Sequence, residues 1–197
     1  MTALPKIPVP MTVAEFLAWT PPTEQPWQLV DGEPQAMAPA SRTHGANQAE
    51  IGALIRNHLA SQHSPCSVIT TPGVIPRVRS ETNFRIPDLA VTCTAYGEEE
   101  HALTNPVLVI EILSPSNRAE TWANVWAYTT VPSIKEILVL NSAKIGAELV
   151  HRAEDGSWPP GPVSIETGEL TLESIGYSMP LAAAYRTTRL AKSNATE

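Results

Sequence analysis

The chain has 197 residues and 21.3 kDa, with 43% hydrophobic and 17% charged residues. That is enough to bury one ordinary core and too short for an array of modules. A formal net charge of -7, from 13 Lys plus Arg against 20 Asp plus Glu, excludes a generally basic surface but not a local basic groove.

Two cysteines, Cys66 and Cys93, are too few for a disulfide framework and lack zinc-type spacing, so they read as inert small apolar residues. The opening segment has prolines at 5, 8 and 10 and no apolar leader core, and no apolar run approaches the ~20 residues of a bilayer span. These features set the expectation of a cytoplasmic protein with no membrane contact.

Thr12 and Glu15 stand at capping-box spacing before Val13, Phe16 and Leu17, which predicts a short helix at about 12–19. Trp27 to Val30 and Glu33 to Met37 flank Asp31-Gly32, the dipeptide suited to a type I′ turn, and predict a hairpin. Ile51, Leu54, Ile55 and Leu59 recur at helical spacing over a segment starting near Thr43, with Ser41 or Thr43 as its cap.

Four β-branched segments follow, Cys66 to Thr70, Val74 to Val78, Phe84 to Thr92 and Val107 to Leu113, which read as a meander. Asn117 and Glu120 repeat the capping-box spacing ahead of Trp122, Val125, Trp126 and Thr129, one face of a helix that stops before Pro132. Ile134 to Leu140 then reads as a buried strand, parallel to Val107–Leu113 because a strand-helix-strand step of this length makes a right-handed crossover. A strand at Ala147 to His151, a Gly/Pro loop and a short terminal helix complete the reading. The expected architecture is an α/β domain over residues 1–185, a mixed sheet between helices, with a polar tail at 186–197 that frays.

Glu111 interrupts an otherwise apolar strand, where a lone ionised carboxylate needs a compensating cation, metal or proton. If Cys93 lies opposite Pro106 on an antiparallel neighbour, Asp88 pairs directly with Glu111 and the two carboxylates converge on one face. Oxygen ligands without His or Cys select a hard ion, Mg²⁺ or Mn²⁺, and phosphodiester hydrolysis is its natural reaction. The plain alternatives are a turn residue at Asp88 and an ion-pair partner at Glu111, with Arg85 or Arg118 as the cation.

Pro87-Asp88 on one strand and Glu111 on the next resemble the metal-binding core of the PD-(D/E)XK nuclease superfamily. Three stretches are similar, more narrowly, to the restriction endonuclease family labelled Uma-type: Trp27-Gln-Leu-Val-Asp-Gly-Glu33 with Met37, Pro39 and His44; Arg85-Ile-Pro-Asp-Leu-Ala-Val91; and Val109-Ile-Glu-Ile-Leu-Ser-Pro-Ser116 with Tyr128 and Pro132-Ser133. The resemblance covers roughly residues 12–151. It implies a restriction-endonuclease-like fold, a homodimer, and a Mg²⁺-dependent nuclease acting on DNA, with Asp88 and Glu111 holding the metal.

Two positions depart from the pattern. Gln28 stands where the family has Glu, leaving an auxiliary polar group, and Asn124 or Val125 stands where it has a lysine, with Arg118 or Asn124 filling that space. A nuclease fold that binds DNA or a protein partner without cleaving is the competing reading.

Several nearby residues have plainer readings. Glu120 reads as the capping-box glutamate rather than a ligand, His44 as a solvated or capping residue, and Trp122 with Trp126 as core or dimer packing. Arg77, Arg79 and Arg85 either contact phosphates or line a solvated sheet edge. No phosphate loop, dinucleotide fingerprint or nucleophile elbow is present.

Overall fold

The computed structural model describes residues 9–95, 97 and 100–193. A six-stranded mixed sheet runs β3-β4-β5-β6-β7-β8 (Ser67–Thr70, Leu89–Thr92, Pro106–Leu113, Glu136–Asn141, Ala147–His151, Val163–Ile165). Neighbours are antiparallel except β5 and β6, which are parallel, with α3 (Arg118–Tyr128) as their crossover.

Apolar side chains alternate across β5 and sort into two cores. Leu108, Ile110 and Ile112 pack with Ile51, Ile55 and Leu59 of α2 (Arg42–Ser61) and with Leu170, Leu172, Met179 and Tyr185 from the C-terminal segments. Val109 and Leu113 face the other way, against Val125 and Tyr128 of α3. The C-terminal segments add a second hairpin, β9 (Glu169–Leu172) with β10 (Tyr177–Pro180), and a terminal helix α4 (Arg189–Ser193). The segment from Arg186, expected to fray, carries an Arg186–Glu50 ion pair at 2.8 Å and begins α4, while residues 194–197 lie outside the described residues. The leader reading covers the first twenty residues, of which 1–8 also lie outside the described residues.

At the other end, helix α1 (Val13–Ala18) forms as its capping box predicts: Thr12 Oγ1 accepts from Glu15 N–H, and the Glu15 carboxylate accepts from Thr12 N–H. The hairpin of β1 (Trp27–Val30) and β2 (Glu33–Ala36) turns at Asp31 and Gly32, both with positive φ. Phe16, Leu29 and Phe84 form a third, smaller core beneath it.

Three expectations are corrected. Val74–Val78 forms no strand. Val74 makes one bridge to Arg85, and Pro76 removes a ladder donor. The long strand expected over Phe84–Thr92 shrinks to β4, because Pro87 interrupts it and the segment before is tied to β1 through a Leu29–Phe84 bridge. Cys66 and Cys93, flanking the paired residues Ser67 and Thr92, are joined in a disulfide rather than standing as free apolar residues. No described helix is long and apolar enough to cross a membrane.

Candidate active site

Leu89 pairs with Ile110 across β4 and β5, so the next rung sets Asp88 opposite Glu111. A bulge at Val91/Thr92 moves Pro106 opposite Thr92 rather than Cys93, but it lies beyond this rung and leaves the two acidic residues aligned. Glu111 faces Tyr128 of α3, while the Asp88 carboxylate meets His44 in the first turn of α2.

Asp88 is 12% exposed at its side chain and fully engaged. Its Oδ2 accepts the Ile112 backbone N–H at 2.6 Å, Oδ1 lies 2.7 Å from His44 Nε2, and its main-chain oxygen accepts from Gln48 Nε2. His44 was read as a solvated or capping residue. Its backbone N–H does meet the cap Ser41, but its ring reaches across the first turn of α2 to Asp88.

Glu111 is buried and accepts from the equally buried Tyr128 Oη at 3.0 Å. Burial pushes its carboxyl well above the usual carboxylate range. The charge of Asp88 raises it further, and hydrogen bonds from Tyr128 and the Asp88 backbone act against the rise. Burial and then Glu111 likewise push the Tyr128 phenol up. Burial and the neighbouring Asp88 thus oppose ionisation of Glu111, and a hard divalent ion on this rung would favour its ionised form. Such an ion takes one or two carboxylates and completes its shell with water and phosphate. No group of three or more His, Cys, Asp or Glu suited to a metal exists among the described residues, and Asp88 with Glu111 makes two.

A chain of polar side chains lies beside the pair. Gln28, buried on β1, donates to Glu120 Oε1 at 3.1 Å and faces Asn124 Nδ2 at 3.5 Å. Asn124 Oδ1 accepts from Arg85 Nη1 at 2.8 Å, and Arg85 Nη2 donates to Asn83 Oδ1 at 2.9 Å. Glu120 thus serves Gln28 instead of closing a capping box. Asn117, the N-cap of α3, makes no side-chain cap bond, and its Oδ1 accepts from Ser114 instead.

Arg118 lies elsewhere. It is exposed and pairs with Glu148 of β7 at 3.5 Å, beyond Val139, which occupies the rung next to Glu111. Arg118, Val139, Lys144 and Glu148 line a cavity of about 220 Å³ that continues the row.

The family model described as Uma2, putative restriction endonuclease, matches residues 13–182. The chain belongs to the Uma2 family. A Synechocystis protein, uncharacterized protein slr1290, is 28% identical over 186 residues, spanning 92% of this chain and 95% of its own. The crystal structure of a putative nuclease belonging to DUF820 from Anabaena variabilis superposes with a TM-score of 0.69 at 16% identity, covering 89% of this chain and 98% of that one. That likeness shows the fold: a mixed sheet flanked by helices.

In this Uma2 chain the helix position where the resemblance implied a lysine holds Asn124, and the buried cation beside it is Arg85. Sequence reasoning offered Arg85 only as a surface phosphate contact, a sheet-edge residue or a partner of Glu111. The missed signal was its place in Arg85-Ile-Pro-Asp88, on a segment bridged to Val74 and so covered on its flank. Arg77 and Arg79 are exposed, with Arg79 paired to Asp31 at 2.8 Å. Trp122 packs against the α3-side core, while Trp126, 41% exposed, stacks on it at a tilt.

Proposed function

We propose that this chain is a divalent-metal-dependent endonuclease that hydrolyses DNA phosphodiesters. The observation that carries the reading is the placement of Asp88 and Glu111 at one buried position across β4 and β5, where burial and mutual repulsion oppose ionisation unless a cation joins them. Asp88 and Glu111 would hold Mg²⁺ or Mn²⁺, which lowers the pKa of an attacking water and offsets charge developing on the phosphoryl oxygens.

The chain's own groups fix the ligands. Tyr128 orients Glu111, Ile112 N–H and His44 orient Asp88, and Gln48 anchors the Asp88 backbone. Gln28 and Asn124 line the surroundings of the pair with hydrogen-bonded amides. The family resemblance supports a homodimer working on DNA.

Calorimetric titration with Mn²⁺ should show binding that vanishes in D88A. Supercoiled plasmid incubated with Mg²⁺ or Mn²⁺ should be nicked, with D88A slower by at least about 10²-fold. Metal binding with intact plasmid under both ions would leave a DNA-binding module, and no metal binding would remove the reading altogether.

A further inference from the structure

Arg85 is 6% exposed and carries a guanidinium that no carboxylate approaches within 4.0 Å among the described residues, whereas the arginines that form ion pairs, Arg79, Arg118 and Arg186, are exposed. A buried cation without an ion-pair partner is costly unless its charge acts on something else. Its two Nη groups are held by neutral amide oxygens, Asn124 Oδ1 and Asn83 Oδ1, and its Nε is buried with no hydrogen-bond partner.

Amide oxygens fix the planar fork in place without neutralising it. Asn83 is itself anchored: its Nδ2 donates to Asp31 Oδ1 at 2.9 Å, and its Oδ1 also accepts the Asp31 backbone N–H. The segment bearing Arg85 leads directly into Pro87-Asp88, and Asn124 sits one helical turn before Tyr128, which holds Glu111. The guanidinium is thus clamped between the segment that leads to Asp88 and the helix whose Tyr128 holds Glu111. Burial works against its charge, and Tyr128, Asp31, Glu120 and Glu111, in that order, favour it.

We propose that Arg85 is the fixed cation beside the Asp88–Glu111 pair, a positioning residue whose amide-clamped, unpaired charge lets the two carboxylates stand together and offsets an anionic phosphodiester brought to them. This rests on the nuclease reading for its substrate but not for its electrostatics, and the two are separable by experiment.

A thermal-unfolding cycle on metal-free protein compares wild type, R85M, E111Q and R85M/E111Q. If Arg85 balances Glu111, R85M should lower the melting temperature by about 5 °C or more alone and by less than half as much in the E111Q background. Equal shifts in both backgrounds would overturn the proposal. Should R85M fail to fold, the double variant must fold, and its failure would count equally against the proposal.

In plasmid nicking with Mn²⁺, R85M should lose about 10²-fold in kcat with little change in KM. R85K, which keeps the charge and loses the fork, should stay within about tenfold of wild type. R85K as inactive as R85M would reduce Arg85 to a structural clamp. If wild type nicks nothing while the unfolding cycle couples, the nuclease reading fails and the electrostatic assignment stands.

Discussion

Glu111 and Glu136 are both buried glutamates on the central parallel pair of strands, yet they are built in opposite ways. Glu136 sits opposite Leu108 near the start of β6, is fully buried, and faces the α2 side. It accepts two backbone N–H bonds, from Glu173 at 3.0 Å and Ser174 at 2.7 Å, and lies 3.2 Å from His151 Nδ1. The 3₁₀ turn at Glu173–Ile175 needs an acceptor for those donors, and Glu136 provides it. Glu111, three residues along β5 on the other face, meets one phenol and a second carboxylate. A carboxylate inside a strand is therefore not a site by itself. Its partners decide whether the charge is consumed by the fold or left over for a ligand.

The largest test of that contrast is a pair of substitutions. Replacing Glu136 by Ala leaves two part-buried backbone donors without their acceptor and should cost about 2–3 kcal/mol in urea unfolding. Glu111→Gln keeps the Tyr128 contact while removing repulsion with Asp88, so the metal-free protein should be as stable as wild type or more so, with Mn²⁺ binding lost. Equal destabilisation by both would mean that Glu111 is as structural as Glu136.

The sequence exposed one half of this contrast. Glu111 stood out because both of its flanks are apolar over a long strand, and Asp88 followed from counting residues back across the loop. That count survived a bulge at Thr92 only because the bulge falls outside the Leu89–Ile110 pairing. Glu136 escaped notice because Lys135 precedes it and makes it look like the polar start of a strand.

Residues tied across long separations were equally hidden. His44 meets Asp88 across 44 positions and Gln28 meets Glu120 across 92, and no local spacing encodes either contact. Capping boxes read well where the helix start was free, as at Thr12. They failed at Asn117, where Glu120 had a tertiary partner.

The disulfide offers a test at the far end of β4 from Asp88. Cys66 and Cys93 close a loop with a sequence separation of 27. On the chain-entropy account a loop of that size is worth about 3–4 kcal/mol. C66S/C93S should lose roughly that much stability while Mn²⁺ affinity stays unchanged, since the Asp88–Glu111 rung is fixed by the β4–β5 ladder and by Tyr128. A parallel loss of metal affinity would show that the site depends on the sheet edge and is not held locally.

The smallest effect per pH unit is the most specific to Glu111. Its carboxyl titrates well above the ordinary 4.5 in the folded chain, so the native state keeps a proton that the unfolded state has released. Stability from this group is fully present below about pH 4.5 and falls as pH rises through the folded value, by at most about 1.4 kcal/mol per unit for one proton. That sign is opposite to the usual acid lability of paired carboxylates.

Urea midpoints from about pH 5 to 8 in chelator should therefore decline more steeply for wild type than for E111Q. Y128F, which removes the one side-chain hydrogen bond favouring the ionised form, should steepen the decline further. Saturating Mn²⁺ should flatten it in wild type, because an ion that binds only the ionised native pair adds stability as the proton leaves. Wild type and E111Q running parallel across this range would show that the Asp88 and Glu111 charges are already compensated, and that the contrast with Glu136 is one of position alone.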